Sequence, residues 1–384
     1  MSENTLCKRD QHLFGPSPKR LLALDGGGVR GAISVAFLEE MERLLRRQKG
    51  ANARLGDWFD LVGGTSTGAI IAGALALGHS TQQIEEFYRH RAKLVFRSSV
   101  GRIPGVRSRF NAEVLSAEIE RVVGDETLDS TNLITGFALV TKRVDTGSPW
   151  VISNNRNAKY WDKQGDGAFI PNRKYRLANL VRASTAAPFY FDPEIISIHE
   201  DQPSGLFIDG GVTPYNNPSF ILFLMVTLKA YGICWETGAD KLTIVSIGTG
   251  SYRRTLSEKG LMLGLLKPIK LAYHALSSLV DDGQTEVLTL MQWLGQSLMP
   301  WPINREIGTL AGENPPGGPQ FRFVRYDVRL EEDWLRENFK GKLSDRDIHD
   351  LRAMDKAKNI PLAYEIGRQA AEKQVRPEHF GLDP

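Results

Sequence analysis

Two cysteines, Cys7 and Cys234, in 384 residues leave no material for a disulfide framework, so a reducing setting, the cytoplasm, is expected. No apolar run approaches the roughly 18 residues that a membrane-crossing helix needs. The longest, Phe220 to Leu228, reads by its length as a buried helix, with Asn217 and Pro218 as its cap and first-turn residues. The stretch from Met1 to Arg20 is charged and has no apolar centre, so no secretory signal is visible. A net charge of +3 is too mild to argue for a nucleic-acid partner. No acidic loop of the calcium-binding type is apparent, and neither metal nor cofactor is expected. Acids are also missing between Glu86 and Glu113, where Arg89, Arg91, Lys93, Arg97, Arg102, Arg107 and Arg109 are all basic. Such a run is either a solvated face or a place for a phosphate-bearing headgroup or nucleotide, for which Arg97, Arg102, Arg107 and Arg109 are the candidates.

What the chain has is two glycine-rich turns close together: Asp25-Gly26-Gly27-Gly28-Val29-Arg30-Gly31, then Gly64-Thr65-Ser66-Thr67-Gly68. Each follows an apolar run and precedes a helix-like segment, which places both at one edge of a parallel sheet. The second is a G-x-S-x-G turn, the setting in which a serine is held exposed as a nucleophile and its flanking glycines leave room at the bend. Ser66 is the candidate nucleophile. The first turn also satisfies the dinucleotide fingerprint G-x-G-x-x-G, but the next strand closes on Gly63-Gly64-Thr65-Ser66 rather than on an acid to hold a ribose. The competing reading makes the amides of Gly26, Gly27 and Gly28 an oxyanion hole at the positive end of the helix that follows. Arg30, one step further, either braces this loop or meets a phosphate, and the brace is the favoured reading.

A nucleophile needs a base. None of the seven histidines lies in a segment resembling the late histidine loop of a Ser-Asp-His hydrolase. The candidate is Asp209, which leaves the apolar run Leu206-Phe207-Ile208 into Gly210-Gly211 and is placed to accept a hydrogen bond directly from a serine hydroxyl. An aspartate before glycines is also an ordinary turn residue.

Taken together, Asp-Gly-Gly-Gly-x-Arg-Gly, Gly-x-Ser-x-Gly and Asp-Gly-Gly, in this order and at these separations, resemble the patatin-like phospholipases. The resemblance extends through Arg182-Ala183-Ser184-Thr185-Ala186-Ala187-Pro188-Phe189-Tyr190-Phe191 and Asn216-Asn217-Pro218, and covers about residues 18 to 250. It implies a Ser–Asp dyad in place of a triad, with Ser66 as nucleophile, Asp209 as base and Gly26, Gly27 and Gly28 as the oxyanion loop. It implies a lipid acyl hydrolase acting without metal, meeting phospholipid peripherally from the water side. The family also includes bacterial antiphage-defence phospholipases switched on by cyclic oligonucleotides, so a cyclic nucleotide activator landing on the basic stretch is one alternative. A non-catalytic lipid-binding or storage protein on the same fold is the other.

Apolar runs near 20–25, 58–63, 134–141, 149–153, 205–208 and 242–247 alternate with helix-like stretches near 30–48, 67–77, 81–95, 112–121 and 218–231. This reads as a three-layer α/β fold with a mostly parallel central sheet and helices on both faces. The Pro- and Gly-rich stretch 312–319 marks the clearest break, dividing an acyl hydrolase domain at 18–310 from a C-terminal extension at 311–384 packed on it. In that extension Ser344 and Asp347 cap one helix and Pro361 opens the last. Val287 to Trp301, rich in Leu, Met and Trp, is expected as a core-packed helix, with an acyl-chain or membrane-docking surface as the alternative.

Overall fold

The computed structural model describes residues 6–96, 108–163, 168–253 and 267–384. Among these the strands are β1 Lys19–Leu24, β2 Leu61–Thr65, β3 Gly136–Arg143, β4 Ser148–Ser153, β5 Glu194–Ile196, β6 Gly205–Asp209, β7 Leu242–Ile247, β8 Gly295–Met299 and β9 Phe321–Tyr326. The helices are α1 Lys8–Phe14, α2 Gly31–Lys49, α3 Leu55–Trp58, α4 Thr67–Ala76, α5 Thr81–His90, α6 Ala92–Val95 and α7 Ala112–Val123, followed by α8 Leu177–Ser184, α9 Ser219–Thr227, α10 Lys267–Leu294, α11 Glu332–Asn338, α12 Asp345–Leu351 and α13 Ile360–Gln374.

All nine strands join one sheet in the order β5-β6-β3-β2-β1-β7-β9-β8, with β4 paired to β3. From β3 through β8 every pairing is parallel, while β4 and β6 run antiparallel to β3 and β5 antiparallel to β6. The sequence from Leu21 to Leu24 is apolar without interruption because both faces of β1 are covered. Leu22 and Leu24 enter one core with Phe37, Ile71, Ile119, Leu180 and Ile366, from α2, α4, α7, α8 and α13. Leu21 and Ala23 enter the other with Leu13, Leu222 and Met291, from α1, α9 and α10. The result is the α/β architecture with a mostly parallel sheet that the alternating pattern anticipates.

The long crossovers lie where the sequence reads them, and several details differ. The stretch 81–95 breaks at Arg91 into α5 and α6. The helix over 287–301 ends at Leu294, and residues 295–299 form the edge strand β8. The cause is local: Gly295 lies opposite Phe321 of β9, and a Cβ there would come within 2.5 Å of that ring, so the chain passes into the sheet where glycine permits contact. The segment 311–384 supplies β9, which sits between β7 and β8. It also supplies α13, which lies so close to α2 that a Cβ on Gly367 would stand 2.9 Å from the Cα of Ile33. Ser344 and Asp347 form a reciprocal capping box on α12, and Pro361 sits in the first turn of α13.

Because the central strands are parallel, the loops after β1, β2, β7 and β9 emerge at one edge. Strands inserted earlier in the chain lie on one side of β1 and later ones on the other, and this reversal of order opens a crevice at the carboxyl ends.

Candidate active site

Ser66 sits alone between β2 and α4 at φ 54°, ψ −123°, in the positive-φ region that costs a side-chain-bearing residue energy. The turn is tight enough that a Cβ on Gly64 would lie 2.1 Å from the carbonyl oxygen of Gly68, and one on Gly68 2.2 Å from that of Leu24. Those two approaches explain the glycines of G-x-S-x-G. The Ser66 amide donates to the Ser184 hydroxyl at 2.9 Å, and that hydroxyl donates to the Val140 carbonyl at 2.6 Å, fixing the elbow to α8 and β3.

The partner arrives through sheet register. One edge of β3 pairs first with β2 and then with β6, with Thr65 opposite Val140 and Asp209 opposite Thr141. Consecutive positions on β3 therefore bring the carboxyl ends of β2 and β6 together. The Ser66 hydroxyl donates to Asp209 Oδ2 at 2.6 Å, and the Gly211 amide donates to Oδ1 at 2.7 Å. Gly210 is required at this junction, since a Cβ would lie 2.3 Å from the Val140 carbonyl oxygen. Asp209 is 5% exposed. Burial pushes its carboxyl up to about 6, against the lowering effect of the Ser66 and Gly211 hydrogen bonds and of the Arg182 charge.

The first glycine turn lies beside the serine: a Cβ on Gly26 would stand 3.2 Å from that of Ser66. Its three amides are not equivalent. The Gly26 amide donates to the Asn216 carbonyl at 3.1 Å and so belongs to the scaffold. Among the described residues the Gly27 and Gly28 amides have no acceptor. Gly28 has φ +59°, and its Cβ would meet the Met354 carbonyl oxygen at 2.2 Å. Arg30 lines the same cleft and ties its wall together: its Nη1 donates to the Gly250 carbonyl at 3.1 Å and its guanidinium lies 5.7 Å from the Tyr252 ring centre. Gly31 opens α2, whose positive end faces the turn.

Ser66, Asp209, Gly27 and Gly28 line a cavity of about 1000 Å³. One wall is apolar, built from Ile70, Phe87, Val95, Phe96, Leu115 and Phe191. Phe189 stands at the lining 72% exposed. Three of the seven histidines are engaged elsewhere: His12 with Asp60, His379 with Tyr326, and His199 against Phe169. Of the basic candidates, Arg97, Arg102 and Arg107 lie outside the described residues. Arg109 pairs with Asp355 and packs over Phe110.

A family model for patatin-like phospholipase matches residues 22–223, more than half of the chain. The chain belongs to the patatin-like phospholipase family. It is 30% identical over 253 residues to a cGAMP-activated phospholipase of Vibrio cholerae serotype O1, covering 63% of this chain and 67% of that one. It is 32% identical over 243 residues to a cGAMP-activated phospholipase of Escherichia coli, covering 62% of this chain and 64% of that one. Patatin-like protein 1 of Arabidopsis thaliana is 27% identical over 294 residues, covering 70% of this chain and 66% of its own length. The matched stretches thus span about two thirds of these relatives.

Several residues that build this patatin-like site carry no signal in the glycine motifs. Asn216 and Thr249 hold the Gly26 backbone, the latter donating to its carbonyl at 2.9 Å. Arg325 and Asp327 at the end of β9 and Met354 before α13 reach the loop from beyond the family match. Two opposite charges two residues apart, closing an apolar strand, are the one sequence sign of that arrangement, because alternate residues share a sheet face.

Proposed function

We propose that this patatin-like protein is a lipid acyl hydrolase of the phospholipase A type, cleaving fatty acyl esters of membrane phospholipids through Ser66 and Asp209. The observation that carries the reading is the 2.6 Å hydrogen bond from a strained, cavity-facing serine to a buried carboxylate. Ionised Asp209 takes the Ser66 proton as Oγ attacks the ester carbonyl, and returns it to the departing alcohol; water then releases the acyl-enzyme by the same route in reverse. A carboxyl lifted to about 6 is ionised at neutral pH yet basic enough to accept that proton. The Gly27 and Gly28 amides supply the oxyanion donors, with Gly26 holding the loop in place. The apolar wall from Ile70 to Phe191 receives the acyl chain, and the exposed Phe189 faces the lipid. No described helix is long and apolar enough to cross a membrane. In this reading the enzyme works in the cytoplasm and meets lipid peripherally from the water side.

Incubation of purified protein with mixed phospholipids, and product identification by mass, tests this reading: free fatty acid and lysolipid are expected, and none with Ser66→Ala. Lipid binding without fatty-acid release would point instead to the storage alternative. A second reading, activation by a cyclic oligonucleotide, is supported by the names of two bacterial relatives. A panel of cyclic dinucleotides added to the same assay separates the two. Turnover that rises with one of them, and loses that rise when Arg97, Arg102 and Arg107 are neutralised, identifies a gated enzyme; unchanged turnover identifies an ungated one.

A further inference from the structure

Arg325 lies on β9, outside the stretch that matches the family model, and is 5% exposed. Its guanidinium joins the two loops that meet under the candidate oxyanion turn. Nη1 donates to Asp25 Oδ1 at 3.0 Å and to the Ser246 hydroxyl at 2.7 Å. Nη2 donates to Asp25 Oδ2 at 2.7 Å and to Asp327 Oδ2 at 2.9 Å. On the first loop, Asp25 immediately precedes Gly26. On the second, Asp327 Oδ1 accepts from the Gly250 amide at 2.8 Å. The second loop returns to the first twice: Thr249 donates to the Gly26 carbonyl at 2.9 Å, and the Gly250 carbonyl accepts from Arg30 at 3.1 Å. A closed ring therefore runs from Arg325 through Asp25, Gly26, Thr249, Gly250 and Asp327 back to Arg325, made of hydrogen bonds and of the chain links 25–26 and 249–250.

We infer that Arg325 is a positioning residue for acyl transfer: by clamping Asp25 to Asp327 it sets where the Gly27 and Gly28 amides point. The inference rests on the Ser66–Asp209 reading above. The planar guanidinium is suited to this, because it holds one carboxylate with two parallel bonds and still reaches a second, which an ammonium does not reproduce. The strut acts on geometry needed only once an oxyanion has formed. Its loss therefore weakens transition-state binding and spares binding of the acyl chain, which rests on the apolar wall.

The test compares wild-type protein with Arg325→Lys, which keeps a cation beside Asp25 and Asp327, and with the double variant Asp25→Asn/Arg325→Gln, which keeps the summed charge of the trio. Three quantities are measured on each: kcat and KM for a soluble ester, the affinity for a long-chain trifluoromethyl ketone, which becomes a tetrahedral oxyanion on serine attack, and the affinity for the fatty acid of the same chain length. For both variants kcat is expected to fall about a hundredfold, with ketone affinity falling in parallel. KM and fatty-acid affinity are expected to stay within about twofold. Unchanged kcat and ketone affinity in a folded variant would overturn the role. So would equal loss of ketone and fatty-acid affinity, the signature of a cavity that has merely deformed. Wild-type protein that neither hydrolyses the ester nor binds the ketone would overturn the acyl-transfer reading itself, and the positioning role with it.

Discussion

Replacing Asp209 with Asn should make the protein more stable as it becomes inactive. The side chain keeps its shape and its acceptor for the Gly211 amide, now 2.7 Å from Oδ1, and its amide group faces the Ser66 oxygen. What disappears is a buried charge. Burial lifts the Asp209 carboxyl from 3.8 to about 6, a gap of about 2.2, and at 1.36 kcal/mol for each pH unit ionising it in the fold costs about 3 kcal/mol. The sign follows from proton binding. Between 3.8 and about 6 the folded state holds a proton that the unfolded chain has released, so this group's contribution to stability falls as pH rises through that window and is lowest above it. The variant should therefore exceed wild type by up to about 3 kcal/mol at pH 7.5, with the margin closing towards pH 4. With an unfolding entropy of about 2.1 cal/mol/K per residue over 384 residues, or about 0.8 kcal/mol/K, that margin is a rise in Tm of up to about 4 °C. Thermal melts of both proteins at pH 4, 6 and 7.5, beside ester hydrolysis, read it. A variant as stable as wild type or less at pH 7.5, with the same difference at pH 4, would refute the claim that Asp209 is an unfavourably buried carboxylate.

Other outcomes follow from the same geometry. Ser66→Ala should abolish both fluorophosphonate labelling and ester hydrolysis while the melting curve stays cooperative, and residual turnover near wild type would remove Ser66 from the mechanism. For wild type, kcat/KM should climb about tenfold per pH unit below pH 6 and level off above it, because the base must be ionised; a profile flat from pH 5 to 8 would contradict that assignment. Gly28→Ala places a Cβ 2.2 Å from the Met354 carbonyl oxygen at φ +59°, so turnover should fall at least about a hundredfold as the loop shifts, measured against unchanged binding of fatty acid. His79→Ala and His199→Ala should each leave turnover within about threefold of wild type, and loss of activity in a folded variant would replace the dyad with a triad.

By itself the sequence determined the local elements of the site. Three successive glycines before a helix, a serine flanked by glycines after an apolar strand, and an aspartate leaving a strand into Gly-Gly occupy consecutive positions, so they are visible as motifs even though Leu24, Val140, Asn216, Thr249 and Met354 supply most of the contacts that require the glycines. The serine elbow shows why: the glycines at 64 and 68 are set by approaches of 2.1 Å and 2.2 Å that any larger residue would fill. The uninterrupted apolar run Leu21 to Leu24 in β1 is likewise local, and its alternate residues enter the cores on the two faces of the sheet. Tertiary structure decided the rest. That Ser66 and Asp209, 143 residues apart, meet at 2.6 Å depends on β2 and β6 sharing one edge of β3, a register that no local pattern encodes. That the Gly26 amide goes to Asn216 while Gly27 and Gly28 line the cavity with amides that have no acceptor among the described residues depends on which carbonyls surround the loop. The edge strand β8 escaped notice because Gln296 and Ser297 carry no β pattern, and its pairing with β9 supplies the order that its own residues lack. The part played by Arg325 was least legible, since a charged residue closing a strand reads as surface until folding brings Asp25, 300 residues earlier in the chain, against it in a buried bidentate pair.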